Sequence, residues 1–264
     1  MINAPPSHRT SSARERLRQH QPVFGVIQTI PSPGITEIAI LCGYDFVILD
    51  CEHGIVDEAS QVASLAIISA SPAFSAVRVR PEDYGAVGRY LDFGADCILM
   101  ADLKGPAAAA AFVAAAAMGP RGTRSSSLSV RAHQYGLDGA AQRAPPVLIA
   151  MIESAQAVEQ IAAIAQTPGL DGIVMGPNDL SADLGCPGDF ASLGFARAAA
   201  AIAKAATDAH LILGGGAYPG LPVEGLLKSG HTFILSHSDV AALRSTFLSC
   251  TRQLRELVAL RSPA

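Results

Sequence analysis

The stretch Phe46-Val47-Ile48-Leu49-Asp50-Cys51-Glu52-His53-Gly54 runs from four apolar residues straight into two acids and a histidine. A short buried run that ends in polar groups reads as an inside strand whose C-terminal end opens into a site. Asp50 and His53 are near enough in sequence for a turn to bring the carboxylate against the imidazole. A carboxylate there fixes the ring tautomer and favours its protonated form, which suits proton transfer near neutral pH. The plainer alternative is a helix N-cap at Asp50 or Glu52 followed by a surface histidine.

Other apolar runs end in polar groups too: Gln28, Arg78 with Arg80, Glu153, Gly176-Pro177-Asn178-Asp179 and Ser236-His237-Ser238-Asp239. Glu153 and Asp179 follow consecutive runs, so their carboxylates are candidates to share one hard divalent cation. Two carboxylates plus waters and substrate oxygens suit Mg²⁺ or Mn²⁺, with Co²⁺ a third candidate. Taken singly, Glu153 also reads as an acid at a helix start and Asp179 as an N-cap. Arg78 interrupts an apolar run, and a buried guanidinium needs an anion. Its planar fork suits a substrate carboxylate or an enolate oxygen, or a structural ion pair with an acid such as Asp50.

The elements that position these groups follow from periodicity and punctuation. Strands are expected at 23–29, 45–50, 75–80, 96–100, 147–152, 171–175, 211–213 and 232–236. Helices are expected at 33–42 (Ser32 as N-cap, Gly43 as stop), 57–70, 81–93, 105–118, 154–166, 193–209, 219–229 and 239–261. A long connection spans 119–146. Eight apolar runs alternating with eight helices predict an α/β fold, a single-domain (β/α)8 TIM barrel over 22–264 behind a polar leader at 1–21. A doubly wound open sheet is the alternative, but the turn after the first strand, Ile30-Pro31-Ser32-Pro33-Gly34, is no phosphate-binding fingerprint.

With 264 residues, half of them hydrophobic, the chain can bury a large core. A net charge of −4 gives no pointer to nucleic acid or to an anionic membrane. The five cysteines are scattered, with no C-x-x-C pair, as expected for free thiols in the cytoplasm. No apolar run approaches the length of a membrane span.

Several segments together resemble the HpcH/HpaI aldolase family of the phosphoenolpyruvate/pyruvate barrels. They are FVILDCEHG (46–54), AVRVRPED (76–83), LDFGADCILM (91–100), GPRG (119–122), IAMIES (149–154) and LDGIVMGPNDLSADLG (170–185). The order and spacing of the resemblance hold over roughly 22 to 250. It implies a class II, divalent-metal aldolase that cleaves or forms 4-hydroxy-2-oxo acids through a pyruvate enolate, with oxaloacetate decarboxylation open to the same site. In those terms Glu153 and Asp179 are the metal ligands, and Arg78 holds the carbonyl and enolate oxygen. His53, steered by Asp50, moves the proton. Amides around Gly176 and Asn178 take the pyruvate carboxylate, with Pro177 and Gln28 as further substrate contacts. The resemblance also implies a last helix exchanged between protomers and a homohexamer, a trimer of dimers.

The chain departs from the family pattern at Met151, where glutamine is common, and at Cys51, where a small residue is common. Arg80 stands where proline is frequent, and with Arg124 it points to a larger or more anionic acceptor. Gly214-Gly215-Gly216 leaves open a phosphate site or a tight turn needing positive φ. A specialised biosynthetic enzyme or a non-catalytic assembly barrel are the alternatives. Leu243, Phe247, Leu248, Leu254, Leu257 and Leu260 make the last helix apolar along one face, to be packed on its own barrel or on another subunit.

Overall fold

The computed structural model describes residues 13–137 and 145–259. The leader at 1–12, the loop stretch 138–144, and Leu260 with the last residues of the expected final helix lie outside the described residues. Eight parallel strands close in sequence order: β1 (Val23–Gln28), β2 (Phe46–Asp50), β3 (Phe74–Val79), β4 (Cys97–Met100), β5 (Val147–Ile152), β6 (Gly172–Met175), β7 (Ile212–Gly216) and β8 (Phe233–Ser238). These runs are apolar on both faces because one face fills the barrel and the other packs under the helices. The inner set includes Phe46, Phe74, Cys97, Leu99, Ile149 and Phe233; the outer set includes Val47, Leu49, Ile98, Leu148 and Ile173. The rings of Phe46 and Phe233 stack at 4.1 Å, and Phe74 lies 5.3 Å from Phe46. Gly25 makes room for this layer, since a Cβ there would stand 2.2 Å from the Phe46 ring.

The helices are α1 (Ala13–Arg18), α2 (Pro33–Leu41), α3 (Glu58–Ser69), α4 (Tyr84–Asp92), α5 (Pro106–Ala116), α6 (Ala155–Glu159), α7 (Ile161–Ala165), α8 (Pro177–Asp183), α9 (Leu193–Asp208), α10 (Val223–Lys228) and α11 (Asp239–Ala259). Several begin with a side-chain cap. Asp57, Asp83, Ser154 and Ser192 each accept a bond from a first-turn N–H. Ser32 precedes α2 without using its side chain, and Pro33 sets that start instead. The helix expected at 154–166 breaks at Gln160 into α6 and α7.

Two elements differ more in kind. The segment read as the end of a polar leader contains α1, which closes the bottom of the barrel. Leu17 is fully buried with the inner set, Arg14 pairs with Asp96 at 3.3 Å, Arg16 pairs with Asp45, and Arg18 bonds the Pro145 carbonyl at 2.6 Å. The three glycines after Leu213 extend β7 rather than forming a loop, and none has a positive φ. At Gly214 a Cβ would meet the Phe233 carbonyl and Val174 at 2.8 Å, so that glycine permits close strand packing. The positive-φ turn is thereby corrected, and the glycines form strand where a phosphate turn was the other reading.

At the far end, α11 meets the barrel at β1 and β8. Asp239 anchors it by accepting from Thr29 N and Oγ1 and from Ile30 N. From residue 242 onward every described residue of α11 is exposed, Phe247 and Leu254 each at 62%. The packing of this helix on its own barrel is therefore corrected.

Candidate active site

At the C-terminal mouth lies a cavity of about 500 Å³, lined by Glu52, His53, Asp102, Lys104, Glu153, Asp179 and Asp183 among others. In barrels this end gathers side chains from several strand ends. Asp50 ends β2, Arg78 lies in β3, Glu153 follows β5, and Asp179 sits in the first turn of α8, directly after β6.

The parallel register places Asp50 beside Arg78. Their side chains form a two-pronged ion pair, Nε to Oδ1 at 2.9 Å and Nη2 to Oδ2 at 2.8 Å. Such a fork fixes the guanidinium plane. Arg78 Nη1 also lies 3.2 Å from Glu52 Oε2. The expectation that Asp50 steers the imidazole does not hold: Asp50 Oδ1 reaches His53 only through its backbone N–H, and that of Glu52. The His53 ring is 65% exposed at the mouth, and the acid facing its Nε2 is Glu52, at 3.8 Å. Burial pushes the Glu52 carboxyl up, against the pull of Arg78 and His53.

Glu153 is buried, and its two oxygens differ. Oε1 accepts the Asp102 N–H at 2.7 Å, whereas Oε2 is buried with no hydrogen-bond partner. Burial pushes this carboxyl up to about 7; the Asp102 N–H pulls the other way, and the charges of Glu52 and Asp179 add to the rise. Oε2 lies over Gly176, where a Cβ would stand only 2.3 Å from it. An unpaired buried carboxylate oxygen is costly, and a cation is one partner that removes the cost. Among the described residues no set of three or more His, Cys, Asp or Glu side chains forms a metal cage. The carboxylates lining the cavity are Glu52, Asp102, Glu153, Asp179 and Asp183, and the expected pair, Glu153 and Asp179, would leave room for water and substrate oxygens.

Other expected contacts fall elsewhere. Gln28 is buried and committed to its own loop: Nε2 donates to Ile30 O and Ser32 O, and Oε1 accepts from Thr36. The Gly176 N–H donates to Ile152 O, and Pro177 has no N–H, so of that turn Asn178 is the expected carboxylate donor that stays available. Arg80 is exposed, and Arg124 is tied to Asp92 at 2.5 Å. His237 is exposed at the end of β8. Cys51 is buried, accepts from Gln61 and is pushed up to about 11, first by burial, so it is no nucleophile. Nothing in the sequence marks Asp102 and Lys104, which the β4–α5 turn brings to the mouth as a pair at 2.9 Å.

Known proteins share this arrangement of fold. A hydroxypyruvate/pyruvate aldolase of Sagittula stellata is 35% identical over 175 residues, 65% of this chain and 69% of that protein. A 5-keto-4-deoxy-D-glucarate aldolase of Klebsiella pneumoniae is 32% identical over 238 residues, 87% and 91% of the two chains. Among solved structures, an HpcH/HpaI aldolase/citrate lyase family protein of Burkholderia cenocepacia J2315 superposes with a TM-score of 0.85 at 28% identity, over 92% of this chain and 98% of that one. The family model for HpcH/HpaI aldolase/citrate lyase matches residues 28–245, a span that holds every strand end at this mouth. With that match, the chain belongs to the HpcH/HpaI aldolase/citrate lyase family.

Proposed function

We propose that this mouth cleaves and forms 4-hydroxy-2-oxo acids through a pyruvate enolate, with Glu153 and Asp179 as the ligands of a divalent cation, Mg²⁺ or Mn²⁺. The class of reaction follows from the family: the chain is a lyase of the metal-dependent aldolase type. The observation that carries the residue assignment is Glu153 Oε2, buried without a partner in a cavity shared with Asp179. When bound, the cation supplies Lewis acidity at the carboxylate and keto oxygens of the 2-oxo acid.

The chain's own groups do the rest. Arg78, held in plane by Asp50, presents positive charge where charge grows on the keto oxygen as the enolate forms. The Asn178 N–H, in the first turn of α8, is the donor for the substrate carboxylate. In cleavage, His53 accepts the proton of the 4-hydroxyl; the C4–O bond becomes the aldehyde carbonyl, and the C3–C4 electron pair moves into the enolate. Glu52, facing the ring, is the acid partner of His53. The span shared with an aldolase, 87% of this chain and 91% of that one, favours this reading over a non-catalytic barrel.

The partners that fit are a 2-oxo acid and an aldehyde. No helix among the described residues is long and apolar enough to cross a membrane. We assign the chain to the cytoplasm, where its free thiols suit a reducing environment, and to a homohexamer, a trimer of dimers exchanging α11. The exposed apolar face of α11, together with exposed Phe24 of β1 and Ile38 and Leu41 of α2, supports that exchange.

The test is pyruvate release from a 4-hydroxy-2-oxo acid with Mg²⁺ or Mn²⁺. Chelation, Glu153→Ala and Asp179→Ala are each expected to abolish it. Activity that survives both substitutions ends the assignment of these two ligands.

A further inference from the structure

Asp102 adopts a left-handed backbone, φ 41°, a conformation that costs energy in a residue other than glycine unless its surroundings impose it. Three consecutive amides show what imposes it. The Ala101 N–H donates to Val79 O of β3 at 3.1 Å, the Asp102 N–H to Glu153 Oε1 at 2.7 Å, and the Leu103 N–H to Met151 O of β5 at 3.0 Å. The chain leaves β4 bonded first to one neighbouring strand and then to the other, with Leu103 buried behind the turn. With this backbone at Asp102 the middle amide meets Glu153 while its neighbours stay on the strands. Aspartate is one of the few side-chain-bearing residues that tolerate this conformation.

We propose that Asp102 is a positioning residue: its strained turn clamps Glu153 by one oxygen and so holds the other, Oε2, free to ligate the cation. The clamp is a backbone donor, so the property required at position 102 is tolerance of positive φ. The Asp102 carboxylate, paired with Lys104 at the rim, is dispensable for it. This rests on the reading of Glu153 as a cation ligand. Substituted at their amide, such outer contacts typically cost 10- to 100-fold in metal affinity.

The experiment is Mn²⁺ titration by calorimetry on the whole protein, with thermal melting of each metal-free variant to verify folding. Asp102→Gly keeps the turn and is expected to hold affinity within about 3-fold of the unmodified protein. Asp102→Val, whose branched side chain opposes positive φ, is expected to lose about 10- to 100-fold. Asp102→Ala falls between them and takes over as the comparison if the valine variant does not fold. Lys104→Met, which removes the ion pair alone, is expected to stay within about 2-fold. Equal affinities for the glycine variant and its alanine and valine counterparts overturn the clamp, as does a Lys104→Met loss as large as that of Asp102→Val. Failure of the underlying reading has its own signature: Glu153→Gln then binds Mn²⁺ as tightly as the unmodified protein, which also overturns the clamp.

Discussion

Glu153 carries its own pH dependence. Its carboxyl is raised to about 7 in the fold, against an ordinary value near 4.3. The protonated form is therefore the one the metal-free fold favours. That contribution is complete below the ordinary value and is lost as pH rises through about 7. Melting of the metal-free protein is expected to fall across that interval, and Glu153→Gln to flatten the trend. A cation requires the ionised carboxylate, so affinity is expected to climb by up to about 10-fold per pH unit below 7 and to level off above it. Calorimetry in buffers of different ionisation enthalpy checks the matching proton release.

Asp50 is the other residue whose partner decides its role. A buried ion pair broken on one side leaves an uncompensated charge. Asp50→Ala and Arg78→Ala are expected to couple by about 1–3 kcal/mol in denaturant unfolding. Asp50→Ala and His53→Ala are expected to be additive within about 0.5 kcal/mol. Strong coupling of the second pair would restore the imidazole as the target of Asp50. The sequence offers both partners for Asp50, the imidazole and, as one reading of Arg78, the guanidinium; the choice depends on strand register, which FVILDCEHG alone does not show.

At the scale of elements, the β6–α8 junction is the most constrained part of the mouth. Gly176 leaves the space that Glu153 occupies, since an added Cβ would meet Glu153 Oε2 at 2.3 Å and Glu153 Cβ at 2.8 Å. The second contact is close to the main chain and cannot be relieved by rotating the carboxylate. Gly176→Ala is expected to lower Mn²⁺ affinity at least 10-fold while the barrel still folds, as read by calorimetry and circular dichroism.

The eight strands are legible because each is a continuous apolar run, whichever face it turns inward. Helix α8 is harder to see: PNDLSAD has the composition of a loop, and only its proline and acid mark a helix start. Helix α1 is harder still, because Leu17 alone among charged residues shows that it has a buried side. Glu153 and Asp179 are readable because acids following apolar runs are unusual. Asp102 is not, because its contribution is a main-chain N–H, and any residue type carries one.

The whole molecule leaves one long surface uncovered. Along α11, Leu243, Phe247, Leu248, Leu254, Leu257 and Val258 are exposed, more apolar area than a stable monomer normally shows to water. If a second copy covers it, charge on that face opposes assembly. Phe247→Asp with Leu254→Asp is expected to shift the sedimentation coefficient from a hexamer toward smaller species, with the barrel's circular dichroism retained. An unchanged coefficient would exclude α11 from the contact.

Leu17 and the stacked phenylalanines fill the barrel's base, so among the described residues the cavity opens at the C-terminal mouth, with Glu153 buried and His53 exposed. A molecule broken in two there must leave in sequence. In the proposed site, the 2-oxo acid half sits next to buried Glu153 and the aldehyde half nearer exposed His53, and the aldehyde is expected to depart first. Pyruvate, last to go, is then the species that blocks the next turnover, and product-inhibition kinetics should show it competing with the incoming substrate.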